Sequence, residues 1–131
     1  MRREYPPGSP QDWMDRSRGK LLLARQPLPA GGYWEDLCYM AQQAAEFAVK
    51  AVYIQRGWRF AFVHDLANLL DGLEEQEMDI PDCVREAEKL TIYATQMRYP
   101  GMSGFVTQDD YAQILAIAEE VVAWADGIIH S

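Results

Sequence analysis

The chain has 131 residues, enough for one domain of ordinary size over residues 1–131. Apolar residues make up 49% and charged residues 24% of it, a composition that excludes disordered and fibrous proteins. The net charge of −8 argues against a protein that coats nucleic acid nonspecifically, and therefore against extended DNA binding.

Apolar residues recur with a helical period along almost the whole chain, which predicts an all-α protein. Ser9 is placed to cap a first helix over residues 10–25, and we expect residues 1–8 before it to be flexible. Residues 26–32 are rich in proline and glycine and form a loop. A second helix follows over residues 34–55, and its alanine-rich middle predicts a central, tightly packed position.

Three further helices are predicted in the second half of the chain. A short helix opens at His64 and ends near Leu73, and a fourth runs from about Ile80 to Arg98. Thr107 caps the last one. With short links between them, the helices form an up-and-down antiparallel bundle of about five helices.

Cysteine usage and the longest apolar stretches bear on location. Cys38 and Cys83 have neither CxxC spacing nor a neighbouring histidine, which predicts buried thiols in a reducing cytoplasm and argues against zinc. No metal or other cofactor is expected. The apolar stretches are far shorter than the roughly 20 residues that span a bilayer, and the first residues lack the apolar core of a signal peptide, so no membrane is expected.

His64 and Arg59 are the candidate catalytic residues in a chain that lacks the common phosphate-loop, dinucleotide, zinc-protease and serine-hydrolase motifs. An imidazole takes a proton from a ribose 2′-hydroxyl near neutral pH, and a guanidinium holds the adjacent phosphate. The alternative is local: His64 hydrogen-bonds the start of its helix and Arg59 is solvated.

Four further residues are candidates for binding a nucleotide or its phosphate. Arg98 either satisfies the last carbonyls of the fourth helix or extends over the bundle end towards a ligand. Tyr99 either stacks on a base or covers the core. Lys50 and Arg56 complete this set, although the spacing of Lys50 from Glu46 also predicts a surface ion pair.

The order of several short motifs resembles the HEPN family (higher eukaryotes and prokaryotes nucleotide-binding domain). The resemblance covers roughly residues 10–130. Its motifs, in chain order, are AQQAAEFAVKA at 41–51, Arg56-Gly57, His64-Asp65-Leu66, Leu69-Leu70, Arg98-Tyr99-Pro100 and Ala118-Glu119-Glu120.

The resemblance implies an all-helical bundle that dimerises and is often encoded beside a small nucleotidyltransferase. Some members are metal-independent ribonuclease toxins whose Arg-x4–6-His motif pairs across the dimer, and Arg59-x4-His64 has that spacing. Others are described only as nucleotide- or substrate-binding helpers. Two departures are visible here: Phe60 stands where a polar residue usually follows the arginine, and Gly101 replaces the usual acid after Arg-Tyr-Pro.

Three functional hypotheses follow. The first is a homodimeric module that binds a nucleotide or RNA beside a nucleotidyltransferase-type partner. The second is a metal-independent endoribonuclease toxin in which His64 is the general base and Arg59 or Arg98 holds phosphate. The third is a non-catalytic scaffold that docks a partner helix on the aromatic connector after the second helix. The aromatic residues of that connector are Trp58, Phe60 and Phe62.

Overall fold

The structure, a computed structural model, describes residues 5–97, 99–101 and 104–130, and this part of the chain contains helices and loops but no strand. It confirms the predicted all-α antiparallel bundle of about five helices. The helices are α1 (Pro10–Ala24), α2 (Trp34–Arg56), α3 (Leu66–Glu75), α4 (Asp82–Arg85), which continues as a 3₁₀ segment (Glu86–Ala94), and α5 (Gln108–Ile129).

The N-terminal cap of α1 forms as the sequence predicts. Ser9 Oγ accepts a hydrogen bond from the backbone N–H of Asp12, and Pro10 occupies the first helical position. Residues 1–8 are expected to be flexible, and residues 1–4 of this segment lie outside the described part of the chain. Gly8 donates its N–H to Asp12 Oδ2 at 2.9 Å, so the chain is tied to α1 immediately before the helix.

Helix α2 is the central element, and it packs against α1, α3, the 3₁₀ segment and α5. Its small residues allow neighbouring backbones to come close, and the buried Ser17 Oγ of α1 donates to the Ala44 carbonyl at 2.6 Å. The helix ends at Arg56 because Gly57 takes the left-handed conformation, with φ at 73°. The predicted central position is therefore confirmed.

Helix α3 begins two residues later than predicted. Asp65, not His64, is the N-cap, and its side chain accepts the backbone N–H of Asn68 at 3.2 Å. His64 is left in the connector between α2 and α3, so the prediction that it opens the helix is wrong. The N–H of Leu66, the first helical residue, donates to Thr91 Oγ1 at 3.0 Å and fixes α3 against the 3₁₀ segment.

The fourth predicted helix is α-helical for one turn only. The chain then tightens into the 3₁₀ segment over Glu86–Ala94, which includes Thr91 and Ile92. The Thr95 hydroxyl bonds back to the carbonyls of both residues, which favours ending the helix. Arg98, predicted as the last residue of this helix, lies outside the described residues.

The last helix starts as predicted and closes the bundle. Thr107 and Asp110 exchange side-chain-to-backbone hydrogen bonds at its first turn, forming a capping box. Tyr111 Oη then donates to the Ala24 carbonyl at 2.7 Å, which joins α5 to the end of α1.

The two cysteines are both free but differ in environment. Cys38 is fully buried, and burial raises the pKa of its thiol to about 12. Cys83 is exposed, so the prediction of two buried thiols is wrong for this residue, which lies on the solvent side of α4. Within the described ranges, no helix is both long and apolar enough to cross a membrane.

Candidate functional site

A buried carboxylate on α2 anchors the candidate histidine. His64 Nδ1 lies 3.0 Å from Glu46 Oε1, and the side chain of Glu46 is 3% exposed while that of His64 is 62% exposed. A carboxylate only accepts hydrogen bonds, so this contact places the proton of a neutral imidazole on Nδ1. The opposite nitrogen, Nε2, is then the free acceptor on the exposed part of the ring.

Two neighbours on α2 hold Glu46 in place. Lys50 Nζ lies 2.8 Å from Glu46 Oε2, and the Gln42 side-chain amide donates to Oε1 at 2.9 Å. Gln43 in turn donates to the Gln42 oxygen at 2.8 Å. Glu46 and Lys50 are 2% and 6% exposed, so the prediction of a surface ion pair is wrong. The chain after α2 folds back over this turn of the helix and removes the pair from solvent.

The pKa of Glu46 follows from competing effects. Burial by itself raises the pKa, because it disfavours the charged carboxylate. Hydrogen bonds from Lys50, Gln42 and His64 oppose burial and together outweigh it, so the pKa is lowered from its usual 4.5. Glu46 therefore carries its charge near neutral pH and is an anionic acceptor for the imidazole.

The aromatic connector covers this cluster. Phe60 packs on the core, and the Lys50 ammonium lies 5.2 Å from its ring centroid. Trp58 is also partly buried against the core. Phe62, two residues before His64, is 96% exposed, so one ring of the connector is open to a ligand.

Arg59 lies on the side of the connector that faces α3. It lines a groove of about 320 Å³ together with Tyr53, Asn68, Asp71 and Glu75, and His64 is not part of that lining. Two of these neighbours are acidic, so the guanidinium faces a partly negative wall. The structure thus puts Arg59 and His64 on one short connector without bringing them into contact.

The other predicted ligand-binding residues are dispersed in one chain. The exposed Arg56 lies with its guanidinium 6.0 Å from the Trp58 ring, at the C-terminal end of α2. Tyr99 lines a groove of about 420 Å³ with Trp34, at the N-terminal end of that helix. Trp34 and Glu46 are twelve positions apart on α2, which corresponds to a separation of about 18 Å along the helix axis. Arg98 lies outside the described residues.

The structure therefore brings two of the predicted site residues, His64 and Lys50, into contact with the same carboxylate, Glu46. The sequence predicts Glu46 only as a member of a surface ion pair and not of the site. A signal for Glu46 exists in the sequence. Gln42, Glu46 and Lys50 follow each other at four-residue spacing on a helix whose other faces are rich in Ala and Val. A helix that is apolar on most faces is buried, and its polar residues are buried with it.

Among the residues that the structure describes, no group of three or more His, Cys, Asp or Glu side chains has the arrangement of a metal site. The cluster instead consists of a buried ion pair and an exposed imidazole held by its carboxylate. This set is suited to proton transfer by the imidazole.

Comparisons with known proteins give one family. A family model described as HEPN domain matches residues 10–128. A crystal structure of TT1696 from Thermus thermophilus is similar, with 31% sequence identity and a TM-score of 0.78. The match covers 90% of this chain and 96% of the TT1696 chain. The structure of ST0689, described as an archaeal HEPN homologue, is similar at 26% identity, with 92% and 98% coverage and a TM-score of 0.75. No curated protein matches the chain.

Proposed function

The chain belongs to the HEPN domain family, and from that premise we propose that it binds a nucleotide or a segment of RNA. In this proposal it acts as a homodimer, in the cytoplasm, as the partner of a small nucleotidyltransferase. The observation that carries the proposal is the contact between His64 and the buried Glu46, which fixes the imidazole while most of the ring stays exposed.

The neighbouring side chains supply the remaining parts of a nucleotide site. Phe62 offers an exposed ring on which a base can stack. In the proposal, the exposed edge of His64 contacts the nucleotide, and Arg59, on the same connector, holds its phosphate from the α3 side. Lys50 acts through Glu46 because its ammonium is buried in the ion pair. A local cationic group such as Arg59 on a protein of net charge −8 favours a short anionic ligand over a long polyanion.

The homodimer is part of the proposal for a geometric reason. Tyr99 lies beside the far end of α2 in its own chain, about 18 Å along the helix from the level of His64 and Glu46. In the proposal, Tyr99 joins the His64 site from a second copy of the chain. Light scattering is expected to give twice the 15.0 kDa of one chain, and a monomer mass at micromolar concentration would contradict the homodimer.

Ligand-induced thermal stabilisation tests nucleotide binding. A nucleotide such as 5′-AMP at about 100 times its Kd stabilises the protein it binds by about 2.7 kcal/mol. We expect this stabilisation in the wild type and its loss in His64→Ala. The matched control is His130→Ala, which removes an exposed histidine at the end of α5 and should respond like the wild type. Equal shifts in all three proteins would refute the proposed site.

The endoribonuclease is the second candidate, and the orientation of His64 favours it. With the proton on Nδ1 directed at Glu46, Nε2 is free to take the proton of a ribose 2′-hydroxyl. The 2′-oxygen then attacks the adjacent phosphorus while Arg59 or Arg98 holds the phosphate. The bond to the 5′-oxygen breaks, and the leaving 5′-oxygen takes up a proton from water. Cleavage of RNA in excess chelator, absent in His64→Ala, would establish this activity. Intact RNA after prolonged incubation would exclude it.

A further inference from the structure

A row of aromatic rings starts at Phe62, two residues before His64 on the connector, and crosses the boundary between α1 and α2. The ring centroids of Phe62 and Phe60 are 5.9 Å apart, those of Phe60 and Trp13 are 5.9 Å apart, and those of Trp13 and Phe47 are 5.0 Å apart. Trp13, Phe47 and Phe60 are partly exposed, and Phe62 is almost fully exposed. The row therefore reaches from the candidate nucleotide site to a different surface of the bundle.

Cations lie at the far end of this row. The Lys20 ammonium is 4.6 Å from the Phe47 ring centroid, and Arg16 and Lys20 line a groove of about 360 Å³ together with Phe47. Arg16 uses its Nε to bond Asp12, which leaves its two terminal amino groups available. Within the described residues, no carboxylate lies within ion-pair distance of Lys20. The groove therefore has unneutralised positive charge beside an aromatic wall.

Helical spacing explains why these groups share a surface. Trp13, Arg16 and Lys20 are three and four residues apart, so they lie on one face of α1. Phe47 and Lys50 are three residues apart on the facing side of α2. The resulting surface has the Lys20 ammonium over the Phe47 ring at one end. Near the other end, Lys50 packs against the Phe60 ring from the inside, with its ammonium buried in the ion pair with Glu46.

A row of partly exposed rings with cations at one end has the chemistry of a surface that binds single-stranded nucleic acid. Bases stack on aromatic side chains, and cations beside the rings contact the backbone phosphates. A protein of net charge −8 with one such strip does not suit a duplex, whose binding depends on many phosphate contacts. A mononucleotide would occupy only the His64 end and leave the Arg16–Lys20 groove unused.

We propose that the surface from His64 to Lys20 binds a single-stranded segment of RNA several nucleotides long, with the Arg16–Lys20 groove as a second phosphate subsite. This inference rests on the proposed function, because the strand begins at the His64 site. It adds that the ligand is an oligonucleotide, and that residues of α1 which lie outside the resemblance motifs bind its backbone.

Fluorescence anisotropy with a labelled single-stranded RNA of about eight nucleotides tests the inference. Lys20→Ala should weaken binding by up to about fivefold, the effect of an exposed ion pair. It should also reduce the slope of log K against log salt concentration by about 0.7, the value for one phosphate contact on a single strand. The matched control is Lys89→Ala, which removes an exposed lysine on the 3₁₀ segment and should leave both quantities unchanged.

A second variant tests the aromatic row. Phe47→Leu keeps an apolar side chain on α2 but removes the ring, and loss of one stacked base should weaken RNA binding about fivefold or more. Neither Lys20→Ala nor Phe47→Leu should alter the thermal shift produced by 5′-AMP, which reaches only the His64 end. Unchanged melting temperatures without ligand establish that both variants are folded.

The outcomes separate the two proposals. If Lys20→Ala and Phe47→Leu bind RNA as the wild type does while 5′-AMP still protects through His64, the extended surface is refuted and the nucleotide site stands. If His64→Ala has no effect on either ligand, the proposed function is refuted. Equal affinity for a duplex of the same length, or Lys20-dependent binding of polyglutamate in place of RNA, would also refute the single-stranded RNA surface.

Discussion

Glu46→Gln removes the charge at the centre of the candidate site while keeping the shape of the side chain. Its partner is the Lys50 ammonium, 2.8 Å away and 6% exposed. At that distance the attraction between the charges is about 6 kcal/mol for an effective dielectric constant of about 20. Loss of one member of a buried pair leaves an uncompensated charge, and we expect the free energy of unfolding to fall by about 3–5 kcal/mol.

Urea unfolding at pH 7, followed by circular dichroism, measures this loss and its origin. Glu46→Gln and Lys50→Met should each be strongly destabilising, and the double variant should be far more stable than the sum of the two losses predicts. Glu86→Gln is the matched control, because Glu86 pairs with Lys89 at 2.6 Å with both side chains about half exposed or more. An exposed pair of this kind contributes about 0–1 kcal/mol. If Glu46→Gln costs no more than Glu86→Gln, or if the double variant is merely additive, the buried pair does not have this role.

The same variant has a distinct pH dependence. The pKa of Glu46 is lowered in the folded protein, so its contribution to stability is present above its usual pKa of 4.5 and is lost as the pH falls through the folded value. The difference in unfolding free energy between wild type and Glu46→Gln should therefore be largest near neutral pH and should shrink below pH 4.5. A difference that stays constant down to pH 3 or grows on acidification would contradict this assignment.

Two further predictions concern the packing around the site. Thiol labelling of the folded protein should modify the exposed Cys83 rapidly. The buried Cys38, whose pKa is raised to about 12, should stay unreacted, and rapid labelling of both thiols would contradict its burial. Gly72→Ala, which in an exposed helix would stabilise by up to about 1 kcal/mol, should destabilise here because the new Cβ meets the Tyr53 hydroxyl. Tyr53→Phe should relieve this clash, so Gly72→Ala measured in the Tyr53→Phe background should lose much less stability by urea unfolding.

Local patterns in the sequence were sufficient for most of the bundle. Caps at Ser9 and Thr107 have a local chemistry, a side-chain oxygen that accepts a nearby backbone N–H, and both were predictable. The start of α3 was less so, because His64 and Asp65 are adjacent and only the hydrogen bond to Asn68 selects Asp65 as the cap. The 3₁₀ segment was missed because its apolar spacing also fits an α-helix.

The candidate site was only half predictable, because it depends on chain segments far apart in sequence. Spacing alone makes Glu46 and Lys50 resemble a common surface pair, since burial is decided by where the connector carrying Phe60 and His64 returns to α2. The pairing of His64 with Arg59 in the sequence was based on nearness along the chain. In the fold, the connector instead directs His64 to Glu46 and Arg59 towards α3.

Stability and ligand binding should separate in the double variant Glu46→Gln, Lys50→Met. Replacing both members of a buried ion pair removes the desolvation cost together with the attraction, so such changes are often close to neutral for stability. His64 would nevertheless lose the anionic acceptor that holds its Nδ1, and the imidazole would no longer be fixed. A stable double variant that 5′-AMP fails to protect would mean that the buried pair serves to orient His64. Full protection by 5′-AMP would mean that the pair has a structural role only.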